Sequence, residues 1–61
     1  MATGDIIRTK REAKGMTQKQ LADAVGVAPS FITQIERGTK SITLALAKQV
    51  AAVLECSVAE L

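Results

Sequence analysis

Apolar residues recur every three to four positions along most of this chain, which is the spacing of an amphipathic α-helix. No segment shows the strict alternation of apolar and polar residues that is typical of a half-buried strand. Glycines and capping residues divide the helical pattern into short pieces. The pattern predicts an all-α fold, a compact single domain over residues 1–61 with five helices at about 5–14, 18–25, 29–37, 44–54 and 58–61.

Individual residues predict where these helices begin and end. Thr17 and Gln20 have the spacing of a capping box, in which each side chain binds the backbone of the other residue. Pro29 suits the first position of a helix, because its missing N–H would have no partner inside the helix there. A glycine, typical of a left-handed helix end, follows each of the first three predicted helices: Gly15, Gly26 and Gly38.

The last two predicted helices follow the same logic. Thr43 can cap the fourth helix through its hydroxyl group. Ser57 and Glu60 repeat the capping-box spacing and predict a short fifth helix over 58–61. The fourth helix is expected to face the core with an apolar stripe formed by Leu44, Ala47, Val50, Ala51 and Leu54.

The second and third helices are separated by only a few turn residues, so they must cross steeply, as in a helix-turn-helix motif. The apolar residues Phe31, Ile32 and Ile35 share one face of the third helix. Its opposite face carries neutral polar side chains and one basic residue, and it has no acidic residue: Ser30, Thr33, Gln34 and Arg37. Such side chains can bind base edges in DNA, although a face of this kind can also be merely solvated.

The charge distribution favours an anionic partner without establishing one. The formal net charge is +2, and most basic residues lie in the first third of the chain. Phosphate groups are expected to bind at the start of the second helix, where free N–H groups and the helix dipole favour an anion. They are also expected to bind around the loop after the third helix. The residues predicted to contact the DNA backbone are Gln18, Lys19, Arg37, Thr39, Lys40 and Ser41.

The composition argues against several other classes of protein. The chain has no histidine and one cysteine, so we expect no disulfide within the chain, no metal site and no cofactor. The same lack leaves no nucleophile and base for an enzyme. Residues 1–10 contain no long apolar run after a basic start, so we expect neither a signal peptide nor a membrane span. A soluble, cytoplasmic protein follows as the expectation.

Four motifs together resemble the phage repressor and Cro (Xre-like) helix-turn-helix family. They are R-x-x-x-G-M-T-Q, L-A-x-x-V-G-V, I-x-x-I-E-R-G and S-V-A-E-L, and they cover residues 11–61. The resemblance implies a bacterial or phage-encoded transcription regulator that binds double-stranded DNA, either a phage-type repressor or the controller protein of a restriction–modification operon. An antitoxin, or another protein-binding module with the same fold, is the alternative.

Carried over position by position, the resemblance assigns roles to single residues. It implies a structural ion pair between Arg11 and Glu36 and a phosphate contact by Gln18. Glu55 departs from the family pattern, since it replaces a frequent glycine after the fourth helix, and Ala28 replaces a frequent capping residue. The positions implied to read bases are Pro29, Ser30, Thr33 and Gln34.

The resemblance further implies a homodimer that binds a palindromic operator. A single small module contacts little DNA, so pairing would strengthen binding. The residues predicted to form the dimer surface are Leu46, Val53, Cys56, Val58 and Leu61. The alternative is that most of these side chains close the core of the monomer.

Overall fold

Four α-helices surround one apolar core in the computed structural model, which describes residues 2–61. The α-helices are α1 (Thr3–Ala13), α2 (Gln18–Val25), α3 (Pro29–Arg37) and α4 (Leu44–Val53), and a 3-10 turn follows at Val58–Glu60. There is no β-strand within residues 2–61, and the all-α prediction is confirmed. No helix in this part of the chain is both long enough and apolar enough to cross a membrane.

The prediction of a fifth α-helix was wrong. Its backbone bonds join Glu60 N to Ser57 O and Leu61 N to Val58 O, each at 3.0 Å. Bonds that span three residues rather than four make a 3-10 turn. The capping signal at this point was nevertheless real, because Ser57 N donates to Glu60 Oε2 at 2.8 Å.

Each α-helix contributes one large, fully buried aliphatic side chain to the core. These four residues are Ile7, Leu21, Ile32 and Val50. Burying a side chain of this size contributes about 1.5–3 kcal/mol. Because one such residue lies on every helix, the core depends on all four helices together.

Local capping sets the boundaries of α2 and α3, which agree with the prediction. Thr17 N donates to Gln20 Oε1 at 2.8 Å, and Gln20 N donates to Thr17 Oγ1 at 3.0 Å. Gly26 and Gly38 end the two helices with φ angles of 75° and 81°. A Cβ makes this left-handed backbone less favourable, which explains why glycine stands at both helix ends.

Helix α1 begins at Thr3, two residues before the predicted start. Contacts with distant residues account for the difference. Thr3 Oγ1 donates to Leu61 O at 3.1 Å, and Gly4 is buried against the end of α3. A Cβ at Gly4 would lie 2.7 Å from Glu36 O and still closer to Ile35 O, so only glycine permits this approach.

Of the two leucines at the start of α4, the one predicted to be buried is exposed and the one predicted to be exposed is buried. Leu44 was assigned to the apolar stripe, but it is 65% exposed. Leu46 was assigned to a dimer surface, but it is 8% exposed and belongs to the core cluster. The buried positions of α4 are Leu46, Ala47, Val50 and Ala51, with Leu54 just after the helix, so the stripe begins two residues later than predicted.

Candidate nucleic-acid interface

Helices α2 and α3 form a helix-turn-helix unit joined by residues 26–28. The buried side chains of α2 and α3 lie in the same core cluster: Leu21, Ala22, Val25, Ile32 and Ile35. In the turn, Val27 N donates to Ala22 O at 3.0 Å, which ties the connection to the end of α2. Packing and hydrogen bonds therefore hold the two helices in one orientation.

The outward side of α3 matches the polar face predicted from the sequence. Pro29, Ser30, Gln34 and Arg37 are exposed, and Thr33 is partly buried. Glu36 is the one acid in α3, and it is only 6% exposed. The solvent-facing side of this helix thus carries no carboxylate that would repel a polyanion. Ala28, which precedes the helix, offers no side-chain oxygen to cap it.

A buried ion pair connects α1 to α3. Arg11 Nε donates to Glu36 Oε2 at 2.7 Å, and Arg11 Nη2 donates to Glu36 Oε1 at 3.0 Å. The third nitrogen, Nη1, donates to Met16 O at 2.7 Å. The hydrogen bond to Glu36 raises the pKa of Arg11 above its ordinary value. This bidentate geometry neutralises Glu36 and orients its carboxylate.

Gln18 extends this ion pair towards the outer side of α3. Its Nε2 donates to Glu36 Oε1 at 3.1 Å, and its Oε1 accepts a hydrogen bond from Thr33 Oγ1 at 2.6 Å. Both ends of the Gln18 amide are therefore engaged within the protein. Gln18 lies in the first turn of α2, where backbone N–H groups and the helix dipole favour an anion.

The other residues predicted to contact the DNA backbone are exposed around this unit. Lys19 Nζ lies 3.0 Å from Asp23 Oδ2 on its own helix. Lys40 Nζ lies 5.1 Å from the centre of the Phe31 ring, which keeps the ammonium group beside the start of α3. Thr39 Oγ1 donates to Gln34 O at 3.1 Å, so this hydroxyl group helps to end α3. The exposed Arg37 and Ser41 complete this set.

The residues predicted to form a dimer surface do not all reach the surface. Leu46 lies in the core, as described above. Val53, Cys56 and Leu61 pack against the core while remaining partly exposed, and Val58 is partly exposed. The alternative of a role in the monomer core is therefore correct for Leu46.

Sequence reasoning missed two features of this region. It did not identify Gly4, although a glycine inside a helical pattern can indicate a close backbone approach. It also treated Gln18 and Thr33 as two separate DNA contacts. No signal in the sequence indicated that these side chains bind each other, because they are fifteen residues apart and their contact depends on how α2 crosses α3.

Comparison with known proteins identifies relatives over nearly the whole chain. The helix-turn-helix family profile HTH_3 matches residues 7–61. The regulator YazB of Bacillus subtilis is 40% identical over 58 residues, which cover 95% of this chain and 84% of YazB. The regulator SlrR of the same species is 41% identical over 59 residues, which cover 95% of this chain but 39% of SlrR. Both carry the name of HTH-type transcriptional regulators, which agrees with the prediction of a regulator rather than an enzyme.

Solved structures agree with the sequence relatives. The biofilm regulator SinR in complex with DNA aligns with a TM-score of 0.86 at 35% identity, covering 92% of this chain and 90% of the SinR chain in that structure. The restriction–modification controller protein C.AhdI of Aeromonas hydrophila aligns with a TM-score of 0.89 at 32% identity, covering 93% of this chain and 86% of C.AhdI. Both structures share the helix-turn-helix geometry described above. The chain therefore belongs to the helix-turn-helix family HTH_3, as its motifs indicated.

Proposed function

We propose that this protein is a transcription regulator that binds double-stranded DNA in a sequence-specific manner. The observation that carries the proposal is the polar, acid-free outer side of α3, held by α2 and displayed to solvent. An α-helix of this kind fits the major groove of B-DNA. The structure of SinR, solved with DNA, supports the same use of the fold in a relative. Such a regulator would act in the cytoplasm, where it meets the DNA.

In this proposal, the exposed positions of α3 read bases. Gln34 can form a bidentate pair with the N6 and N7 atoms of adenine, which contributes about 1–3 kcal/mol of discrimination. Ser30 can bind a base edge as donor or acceptor. Pro29, the first residue of α3, has no backbone N–H, so it can offer a base only apolar contact.

Residues around α3 would fix the position of the protein on the DNA backbone. The exposed side chains of Lys19, Arg37 and Lys40 would supply positive charge around α3. Gln18 and Ser41 can donate neutral hydrogen bonds to phosphate oxygens. Thr39 supports the loop by its bond to α3. Contacts to phosphates carry no sequence information, so affinity and selectivity should be separable.

Selection from a random duplex pool tests the proposal directly. The selected duplex and a scrambled duplex are then titrated at several salt concentrations. We expect the selected duplex to bind about 10³-fold or more tightly than the scrambled one. No preference in the pool, or no binding even in low salt, would overturn the proposed function.

Two substitutions distinguish reading from positioning. Gln34→Ala is expected to relax the preference at one base pair and to leave the salt dependence unchanged. Lys40→Ala is expected to lower the affinity for all duplexes by the same factor and to reduce the slope of log K against log salt by about 1. Gln49→Ala and Lys48→Ala are matched controls, because both residues are exposed on α4, outside the proposed interface.

We also propose that the protein binds DNA as a homodimer. Two copies would place one α3 in each of two major grooves, with half-sites about 34–36 Å apart. The partly exposed apolar residues that support this proposal are Val53, Cys56, Val58 and Leu61. Sedimentation is expected to show a dimer at tens of micromolar. A monomer at those concentrations would remove the homodimer from the proposal.

A protein-binding module is the second candidate. Leu44, at the start of α4, is 65% exposed, and within residues 2–61 it is the one large apolar side chain that is exposed to this degree. SinR has also been solved in a complex with the protein SinI. If the duplex selection fails, co-purification with Leu44→Ser as the control is the experiment that tests this candidate.

A further inference from the structure

We propose that Thr33 is a positioning residue: it holds Gln18 in place for the DNA backbone and does not itself read a base. This inference rests on the proposed DNA-binding function, and it reverses the role that the family resemblance implied for Thr33. Its basis is the chain of hydrogen bonds that runs from Arg11 through Glu36 and Gln18 to Thr33.

The chemistry of these groups determines the direction of every bond. The carboxylate of Glu36 can only accept, and it already accepts two bonds from Arg11. The Gln18 atom that lies 3.1 Å from Glu36 must therefore be the amide nitrogen. The Gln18 oxygen then faces Thr33, and at 2.6 Å it requires the Thr33 hydroxyl group to donate.

The Thr33 hydroxyl group has only one hydrogen. Both acceptors within its reach are protein atoms, namely Gln18 Oε1 at 2.6 Å and Pro29 O at 3.2 Å. No hydrogen is left for the acceptor atoms O6 and N7 of guanine, or O4 of thymine, so the hydroxyl group could meet a base only as an acceptor, from N6 of adenine or N4 of cytosine. The side chain is also partly buried between α2 and α3, unlike the exposed Ser30 and Gln34.

Gln18, in contrast, keeps a second amide hydrogen that neither Glu36 nor Thr33 uses. Each end of its amide group is held by one bond, Nε2 by Glu36 and Oε1 by Thr33, so little rotamer freedom remains to be lost when a phosphate binds. Removing the Thr33 hydroxyl group would release one end. Because a phosphate contact is the same at every sequence, the resulting loss of affinity should be equal for all duplexes.

Four variants test this inference on duplexes chosen with the wild-type protein. Thr33→Val removes the hydroxyl group with little change of shape, and Thr33→Ser keeps it. We expect Thr33→Val to lower the affinity for the selected and the scrambled duplex by the same factor, about 3- to 10-fold. Thr33→Ser should bind both duplexes like the wild type. In a double-mutant cycle, Thr33→Val should have no further effect when Gln18→Ala is already present.

The base preferences of the variants decide between positioning and reading. A changed preference at any base pair in Thr33→Val or Thr33→Ser would overturn the inference, as would additive effects of Thr33→Val and Gln18→Ala. If the wild-type protein itself prefers no duplex, the proposed function fails and this inference fails with it. A wild-type preference that persists in all Thr33 variants, together with the coupling to Gln18, supports both.

Spectroscopy of the free protein provides a measurement that does not depend on DNA or on variant stability. In the wild-type protein, NMR is expected to show the Thr33 hydroxyl proton protected from exchange with water. The side-chain amide signals of Gln18 should shift in Thr33→Val and stay in place in Thr33→Ser. A freely exchanging Thr33 hydroxyl proton would overturn the inference.

Discussion

At the scale of single residues, the buried pair of Arg11 and Glu36 is the most consequential contact. Two charges that leave water together need not add net stability compared with an apolar pair of similar size. Removing one partner is different, because the other charge then stays buried without compensation. Arg11 also donates to Met16 O, so it supports the turn before α2 as well as Glu36.

We therefore predict that Arg11→Ala lowers the free energy of unfolding by about 3–5 kcal/mol. For a domain of this length the total is about 3–9 kcal/mol, so the variant should be partly unfolded at room temperature. Urea titration followed by circular dichroism measures the effect. Arg8→Ala is the matched control, since Arg8 is exposed and a surface substitution should change stability by less than about 0.5 kcal/mol. Equal effects of the two substitutions would contradict the prediction.

Glu55 is the second residue whose position has a measurable consequence. Its φ angle is 57°, in the left-handed region that residues with a Cβ rarely adopt. A bond from Lys14 Nζ to Glu55 Oε2 at 2.8 Å lowers the pKa of this carboxyl group, and both side chains face solvent. The backbone strain should therefore outweigh the exposed ion pair.

The prediction for Glu55 is an order of stabilities. Glu55→Gly is expected to melt at or above the wild-type temperature, and Glu55→Ala below it, because alanine keeps the strain and loses the ion pair. Thermal unfolding measures all three proteins. Lys14→Ala reports the ion pair alone. An alanine variant that melts above the glycine variant would be evidence against strain at this position.

At the scale of helices, the approach of α1 to the end of α3 depends on Gly4. In an isolated helix, replacing glycine by alanine stabilises by about 1 kcal/mol. Here the added Cβ would meet the carbonyl oxygens of Ile35 and Glu36, which belong to backbone and cannot rotate away. The packing of the two helices thus opposes the local helix preference.

We predict that Gly4→Ala lowers the free energy of unfolding by about 1–3 kcal/mol, the usual cost of overpacking. Urea titration gives the total, and amide hydrogen exchange should show faster opening of α1. Gly15→Ala is the comparison, since Gly15 has a φ angle of 69° but nothing near its added Cβ. It should be destabilised by conformation alone, without faster exchange across α1. A Gly4→Ala protein that is more stable than the wild type would show that α1 can shift.

At the scale of the whole molecule, an ion pair joins α1 to the 3-10 turn near the end of the sequence. Lys10 Nζ lies 3.3 Å from Glu60 Oε1, while Ser57 N donates to the other oxygen of Glu60 at 2.8 Å. Both bonds lower the pKa of Glu60, and the bond from Ser57 has the larger effect. A carboxyl group whose pKa is lowered by folding contributes stability above its unfolded pKa, and this contribution is lost as the pH falls through the folded pKa.

The predicted outcome is a loss of stability on acidification below the ordinary pKa of glutamate, to which Glu60 contributes. Glu60→Gln should lower the urea midpoint at neutral pH and flatten its decline between about pH 5 and pH 3. Lys10→Ala should flatten the decline less, because it leaves the bond from Ser57 intact. An acid decline in Glu60→Gln that is as steep as in the wild type would argue against this contribution.

Local signals in the sequence determined the helix-turn-helix unit. The capping box at Thr17 and Gln20, Pro29 and the two glycines specify α2 and α3 with the observed boundaries, because these interactions act within one or two helical turns. The four motifs were sufficient to identify the family. The exposed side of α3 also followed from periodicity, since the apolar Ile32 and Ile35 mark its inward face.

The tertiary structure alone decided how these elements meet. Leu44 and Leu46 are equally apolar and both lie in the first turn of α4, so only the approach of the other helices determines which one is buried. The start of α1 depends on the distant ends of α3 and of the chain. The bond between Gln18 and Thr33 likewise arises from the crossing of two helices. Caps and periodicity act between neighbours in sequence, whereas these contacts join residues that only folding brings together.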